Sequence, residues 1–183
     1  MGIGKRTAAL QSARIALMSA LISICAVIAL PISPPITLAT LAMHLSLLLL
    51  GGKAGFISIA VYVAMGAVGL PVYAGFSGGI GHILGASGGF IVGYVLGAFI
   101  YMILEIILPN RNFAKIVLSL IFITIVYISG VLWFAYVYSG GEKGAILSAI
   151  LVCVIPFILP DAVKLFMAML IYRKIKNHSI SER

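Results

Sequence analysis

The chain has 183 residues, 63% of them hydrophobic and only 9% charged, a balance that cannot coat a water-soluble domain of this size with polar surface. Its formal charge of +8 arises from 12 Lys and Arg against 4 Asp and Glu. The basic residues sit in the gaps between apolar runs, not in a patch with interleaved aromatics, which argues against a nucleic-acid partner. The length accommodates about six spans of roughly 20 residues and leaves no soluble catalytic domain. The reading is therefore an all-α integral membrane bundle of six transmembrane helices, a single domain over residues 1–183 in contact with lipid.

Uninterrupted apolarity places the helices at about 13–31, 36–50, 54–70, 88–108, 114–138 and 144–172. Pro31, Pro34, Pro35, Gly51, Gly52, Pro71, Pro109, Gly140 and Gly141 punctuate their ends. The first span follows Lys5, Arg6 and Arg14 as a signal peptide would, but its apolar run is long and no A-x-A site closes it, so it is read as a permanent helix. Along it Ala9, Ala13, Ala16 and Ala20 are spaced 4, 3, 4 beside Ser12, Ser19 and Ser23. That small-residue stripe favours a close partner, with packing inside the chain as the default. Gly51-Gly52-Lys53 is followed by Ala54 and lacks the upstream glycine of a Walker-type loop, so the chain is not expected to hydrolyse ATP itself.

The stretch Gly75 to Phe90 contains no Lys, Arg, Asp or Glu and reads either as a flexible connector or as an outer loop whose backbone approaches a ligand. It fails the dinucleotide fingerprint, because Leu84 stands where a third glycine is required. Gly85, Gly89, Gly93 and Gly97 form a smooth ridge every four residues in the fourth helix. Trp133, Tyr136 and Tyr138 suit an interfacial belt. Cys25 and Cys153 fall inside apolar runs without metal-ligand spacing and read as small core residues. His44, His82 and His178 show no metal spacing either, although His82 lies beside the outer loop where it could meet a ligand.

With the N-terminus cytoplasmic, Lys5, Arg6, Arg14, Lys53, Arg111, Lys115, Arg173, Lys174, Lys176 and Arg183 fall on the inner side and Lys143 alone on the outer. That asymmetry selects cytoplasmic N- and C-termini. The twelfth basic residue, Lys164, lies one helical turn after Asp161 deep in the last span, roughly 13–14 Å before Arg173. Ionisable groups at such depth cost about 2.5–3.5 kcal/mol each on insertion scales and normally face a bundle interior or polar cavity. They could simply neutralise one another and fix packing. They could also bind a ligand with both N–H donors and a carbonyl or carboxylate. Pro156 and Pro160 loosen the backbone at that depth, favouring a site.

Three segments carry a resemblance: Pro35-Ile-Thr-Leu-Ala-Thr-Leu41, the loop from Gly78-Gly79 to Gly88-Gly89-Phe90, and Ile155-Pro-Phe with Asp161 and Lys164. Together they resemble the BioY type, the biotin-specific substrate-binding (S) components of energy-coupling factor (ECF) transporters, along most of the chain. That family usually shows Gly-Pro-Thr-Gly-Gly where this chain has Gly85-Ala86-Ser87-Gly88-Gly89, and often Gly where it has Pro160. The resemblance implies a multi-pass protein of the bacterial plasma membrane with an outer vitamin pocket, capped by the loops after the first and third helices. It implies biotin as ligand and no cofactor. ATP would be bound by two cytoplasmic ATPase subunits that drive a transmembrane T subunit. The expected ligand-contacting set is Asp161, Lys164, Gly78, Gly79, His82 and Tyr73, and the expected T-subunit docking pair is Ala16 and Ala20.

Two other classes compete. Gly85-Ala86-Ser87-Gly88 looks like the nucleophile motif of rhomboid proteases, but the required base is missing from the sixth span, where only Lys164 is available. An ion-coupled secondary transporter using Asp161 would need an inverted repeat or a second membrane carboxylate, and Glu105 lies near the inner edge beside Arg111.

Overall fold

A computed structural model describes residues 2–30, 32, 34–108, 112–138, 140–141 and 144–181, with side chains from Thr7 to Asn177 except Asn112 and Tyr138. Eight helices and one short ribbon follow in the order α1 (Gly2–Val27), β1 (Ala29–Leu30), β2 (Ile36–Thr37), α2 (Ala39–Leu50), α3 (Gly52–Ala67), α4 (Ile80–Ile83), α5 (Gly88–Ile107), α6 (Asn112–Trp133), α7 (Ala145–Cys153) and α8 (Ile155–Ser181). A five-residue π-helical turn, Phe134–Tyr138, extends α6. Four segments are long and apolar enough to cross a membrane: Thr7–Val27, Gly88–Ile107, Phe113–Val137 and Ala145–Asn177. The shorter apolar α2 and α3 form a hairpin, and nine of the twelve residues of α2 are buried, which makes α2 the central element.

The first span begins earlier than expected, and Ala29–Leu30 and Ile36–Thr37 form an antiparallel ribbon that pairs Ala29 with Thr37 and Leu30 with Ile36. Ile36 and Thr37 are taken up by the pairing with Leu30 and Ala29, so α2 starts at Ala39. Pro31, Pro109, Arg111, Lys143, Arg183 and the side chains of Lys5, Arg6, Tyr138 and His178 lie outside the described residues.

The expected continuous last span is broken at Val154 (φ −120°, ψ −56°). Pro156 lacks the N–H that would bond back across the break and disfavours helical backbone at the residue before it. The N–H groups of Phe157 and Ile158 instead both donate to the Val154 carbonyl and start α8 afresh.

Gly89, Gly93 and Gly97 bring α5 against α6, where added Cβ atoms would meet Trp133, Val126 and Phe122 at 2.3, 2.9 and 3.0 Å. Gly85 precedes the helix and is not part of this ridge. The opposite holds for α1: Ser19 faces inward and donates to the Ser58 carbonyl at 2.9 Å, whereas Ala9, Ala13, Ala16 and Ala20 are all exposed. The stripe read as packing inside the chain is therefore left uncovered by it. Cys153 is buried and Cys25 half-buried, both free.

Ionised side chains hold the α2–α3 turn at one end of the bundle. Gly51 makes the turn at φ +80°. The Glu105 carboxylate of α5 accepts the Gly52 N–H, and Lys115 of α6 donates to the Leu48 carbonyl. Each charge complements the dipole of the helix end it meets. Glu105 is thus engaged with α3, and Arg111, the partner expected from the sequence, lies outside the described residues. The same end carries Lys53, Lys115, Arg173 and Lys176, opposite the cavity described next.

Candidate functional site

A cavity opens at the end of the bundle remote from these basic residues. Its polar group is built where α2 and α6 meet α8. The α8 helix holds Asp161 and Lys164 one turn apart, paired at 2.8 Å and each almost fully buried. From α2, the Thr40 hydroxyl donates to Asp161 Oδ1 at 2.9 Å. From α6, the Tyr127 hydroxyl donates to Oδ2 at 2.7 Å.

Lone-pair counting defines what this group can still do. Oδ1 accepts from both Lys164 and Thr40 and is saturated, whereas Oδ2 accepts from Tyr127 and has one position left. Lys164 spends one of its three N–H groups on Asp161. The arrangement therefore offers one carboxylate acceptor beside an ammonium with unused donors, the complement of a ligand with adjacent N–H and C=O groups.

The walls are aromatic and apolar. Phe90 stacks on Phe157 at 5.9 Å, and Tyr62, Tyr94, Ile91 and Val126 complete the sides. Pro34, Pro35 and Thr37 of the first loop close part of the top. The glycine loop supplies the remainder through Tyr73, Ala74, His82 and Ser87. Tyr73 stacks on His82 at 5.2 Å, stands edge-on to Tyr62, and donates to the Val63 carbonyl at 2.7 Å. Burial pushes the Tyr73 hydroxyl up to about 12 and holds the His82 imidazole below its ordinary value.

His82 ties this loop together. The Ser77 hydroxyl donates to the Ala74 carbonyl and lies 3.0 Å from His82 Nδ1, while Ser87 Oγ lies 3.1 Å from Nε2. With the Ser77 proton committed, Nδ1–H donates to Ser77 and Nε2 accepts from Ser87. Ser87 thus has a histidine partner, which comes from its own loop and not from the sixth span.

Of the residues singled out in the sequence, Asp161, Lys164, His82 and Tyr73 meet around the cavity. Gly78 and Gly79 lie behind its wall: a Cβ on Gly78 would sit 2.2 Å from the Leu70 carbonyl oxygen, and Gly79 N–H donates to the Gly66 carbonyl. Ala16 and Ala20 stand on the outer face of α1. Trp133 is not simply an interfacial anchor: its indole N–H donates to the Gly85 carbonyl at 3.0 Å and its side chain covers Gly88 and Gly89, fixing the loop's exit into α5. Thr40 and Tyr127 were not picked out from the sequence as site residues, although Thr40 lies in Pro35–Leu41; Tyr127 is one of several hydroxyl groups in its apolar run, with Thr124 and Ser129 close by. His44 lies one turn beyond Thr40 on α2, buried edge-on to Phe122, with neither ring nitrogen hydrogen-bonded among the described residues. The described residues contain no cluster suited to a metal ion.

The profile of the BioY family matches residues 4–180. This chain belongs to the BioY family. It is 39% identical to the probable biotin transporter BioY of Pyrococcus horikoshii, covering 90% of this chain and 95% of that one. It is 36% identical to the biotin transporter BioY of Thermotoga maritima, covering 91% and 96%. Among solved structures, it resembles the S-component for biotin from an ECF-type ABC transporter, with a TM-score of 0.78 and 25% identity over 97% of this chain and 95% of that chain. BioY is a transporter family rather than an enzyme family, and its four long apolar helices make this member a multi-pass membrane protein.

Proposed function

We propose that this BioY family member is the biotin-binding S component of an ECF-type uptake transporter. The observation that carries the reading is the lone carboxylate acceptor position beside the free donors of Lys164 inside an aromatic cavity. Biotin's ureido ring presents N–H groups beside a carbonyl, and its thioether ring and chain are apolar. Asp161 Oδ2 accepts a ureido N–H and Lys164 donates to the ureido carbonyl, while the walls bury the bicycle. His82 and Tyr73 close over the ligand, with Gly78 and Gly79 holding their loop in place.

The chain forms one substrate-binding domain that crosses the membrane six times, through α1, α2, α3, α5, α6 and the α7–α8 unit, with both termini cytoplasmic. Concentration of Lys53, Lys115, Arg173 and Lys176 at the end opposite the cavity supports that orientation and an outward-facing pocket. The chain carries no cofactor. A transmembrane T subunit docks on α1 at Ala16 and Ala20, which are exposed and small. Two cytoplasmic ATPase subunits bind the ATP that drives release.

Uptake of labelled biotin by cells expressing the chain with its coupling module tests this mechanism. ATP depletion should stop uptake, while an uncoupler that spares ATP should leave it intact. Loss of uptake with the uncoupler alone would assign the chain to ion-coupled transport.

A further inference from the structure

At the end of the bundle opposite the pocket, Lys115 reaches from the first turns of α6 toward α8, where its ammonium lies 4.6 Å from the Tyr172 ring centroid. Lys176, one turn further along α8, brings a second ammonium to 5.7 Å from the same ring. The Tyr172 hydroxyl interacts with both. Lys115 is only 8% exposed. Among the described residues neither lysine has a carboxylate partner, because the one ion pair is Asp161–Lys164 and Glu105 accepts the Gly52 N–H. Tyr101 adds a buried hydroxyl without a hydrogen-bond partner, within electrostatic reach of Tyr172.

The Leu48 carbonyl and the Tyr172 ring offset part of the Lys115 charge, and an anion reaching both ammonium groups would relieve the repulsion left between them. A phosphate diester shares one negative charge over two non-bridging oxygens, which can meet both ammonium groups. Basic pockets between helices near the cytoplasmic surface are suited to anionic headgroups. We propose that Lys115, Lys176 and the Tyr172 hydroxyl form a phosphate-binding site between α6 and α8, occupied by an anionic phospholipid headgroup or by free phosphate. The site is separate from the vitamin pocket.

The test is native mass spectrometry of the full chain released from mixed phosphatidylglycerol and phosphatidylcholine membranes, with biotin affinity measured on the same preparations. Wild type should retain phosphatidylglycerol in preference to phosphatidylcholine. Lys115→Gln and Lys176→Gln should each weaken that retention about fivefold, Tyr172→Phe should weaken it less, and Lys53→Gln should leave it unchanged. Because Lys115 also ties down the end of α2, Lys176→Gln is the variant that spares the packing. Unchanged biotin affinity verifies that each variant is folded. A second arm titrates inorganic phosphate: displacement of the lipid at millimolar phosphate assigns a site for free phosphate, and resistance to it assigns the lipid headgroup. Equal retention of the two lipids with no effect of phosphate, or undiminished phosphatidylglycerol retention in folded Lys176→Gln, would overturn the proposal.

Discussion

Asp161→Asn probes the pocket most sharply because each consequence can be followed atom by atom. The wild-type carboxylate accepts from Lys164, Thr40 and Tyr127. Lysine has no acceptor, so the asparagine carbonyl must take the Oδ1 position and face Lys164 and Thr40. Its NH2 group then occupies the Oδ2 position, where the Tyr127 hydroxyl can reverse and accept. A ligand N–H meets a donor there instead of an acceptor. Loss of a hydrogen bond to a charged group is worth about 1.5–3 kcal/mol, which predicts biotin binding weaker by roughly 10- to 150-fold. Breaking the buried pair also leaves the Lys164 ammonium without its counter-charge, so thermal stability should fall in the same variant. Calorimetric titration of purified protein with biotin, with a melting curve on the same sample, checks both effects. A folded Asp161→Asn protein with affinity within about threefold of wild type would refute the lone-pair argument.

Three further variants test other parts of the account. Ala16→Trp should abolish co-purification with the T subunit while leaving biotin affinity unchanged, because Ala16 lies on the exposed side of α1; normal assembly would remove that face from the interface. Gly89→Val would drive a side chain into Trp133 and the Ser129 carbonyl, which an added Cβ would meet at 2.3 and 2.5 Å. It should cost about 1–3 kcal/mol or more, and an unchanged melting temperature would count against the close α5–α6 contact. His82, held by burial below its ordinary value, favours the neutral ring in the folded loop. Its contribution is therefore complete above about pH 6.5 and is lost as pH falls through the lowered native value. Biotin affinity should decline on that acid side in wild type, and a pH series on His82→Gln should show a shallower decline; superimposable profiles would remove His82 from loop closure.

The parts of this fold legible in the sequence are those written as long periodic or scarce features. Residues 88–107 form a single apolar helix almost as read, because twenty residues without a charge except Glu105 leave few alternatives. The glycine ridge announced close packing through Gly89, Gly93 and Gly97. Asp161 and Lys164 stood out because so few charges are placed at depth, and the structure indeed pairs them.

Short and context-dependent features were harder to read. The ribbon at Ala29–Thr37 has two residues per strand, too few for alternation to register. The break at Val154 depends on how the carbonyls freed by Pro156 are repaid, which composition does not reveal. Thr40 lies 121 residues from Asp161 and Tyr127 lies 34 away; single hydroxyl groups in apolar helices carry no pattern that distinguishes a ligand-site partner from a side chain bonded to its own helix, as Thr124 is. Ala9, Ala13, Ala16 and Ala20 illustrate the complementary difficulty, since small-residue spacing identifies a smooth face but not whether its partner belongs to the same chain.

The central claim is that biotin occupies the Asp161–Lys164 pocket. Mass spectrometry of small molecules released from the purified chain after growth in biotin-containing medium tests it most directly. The account predicts biotin at one molecule per chain from wild type and little from Asp161→Asn. A different vitamin released from wild type, or biotin retained equally by both proteins, would contradict it.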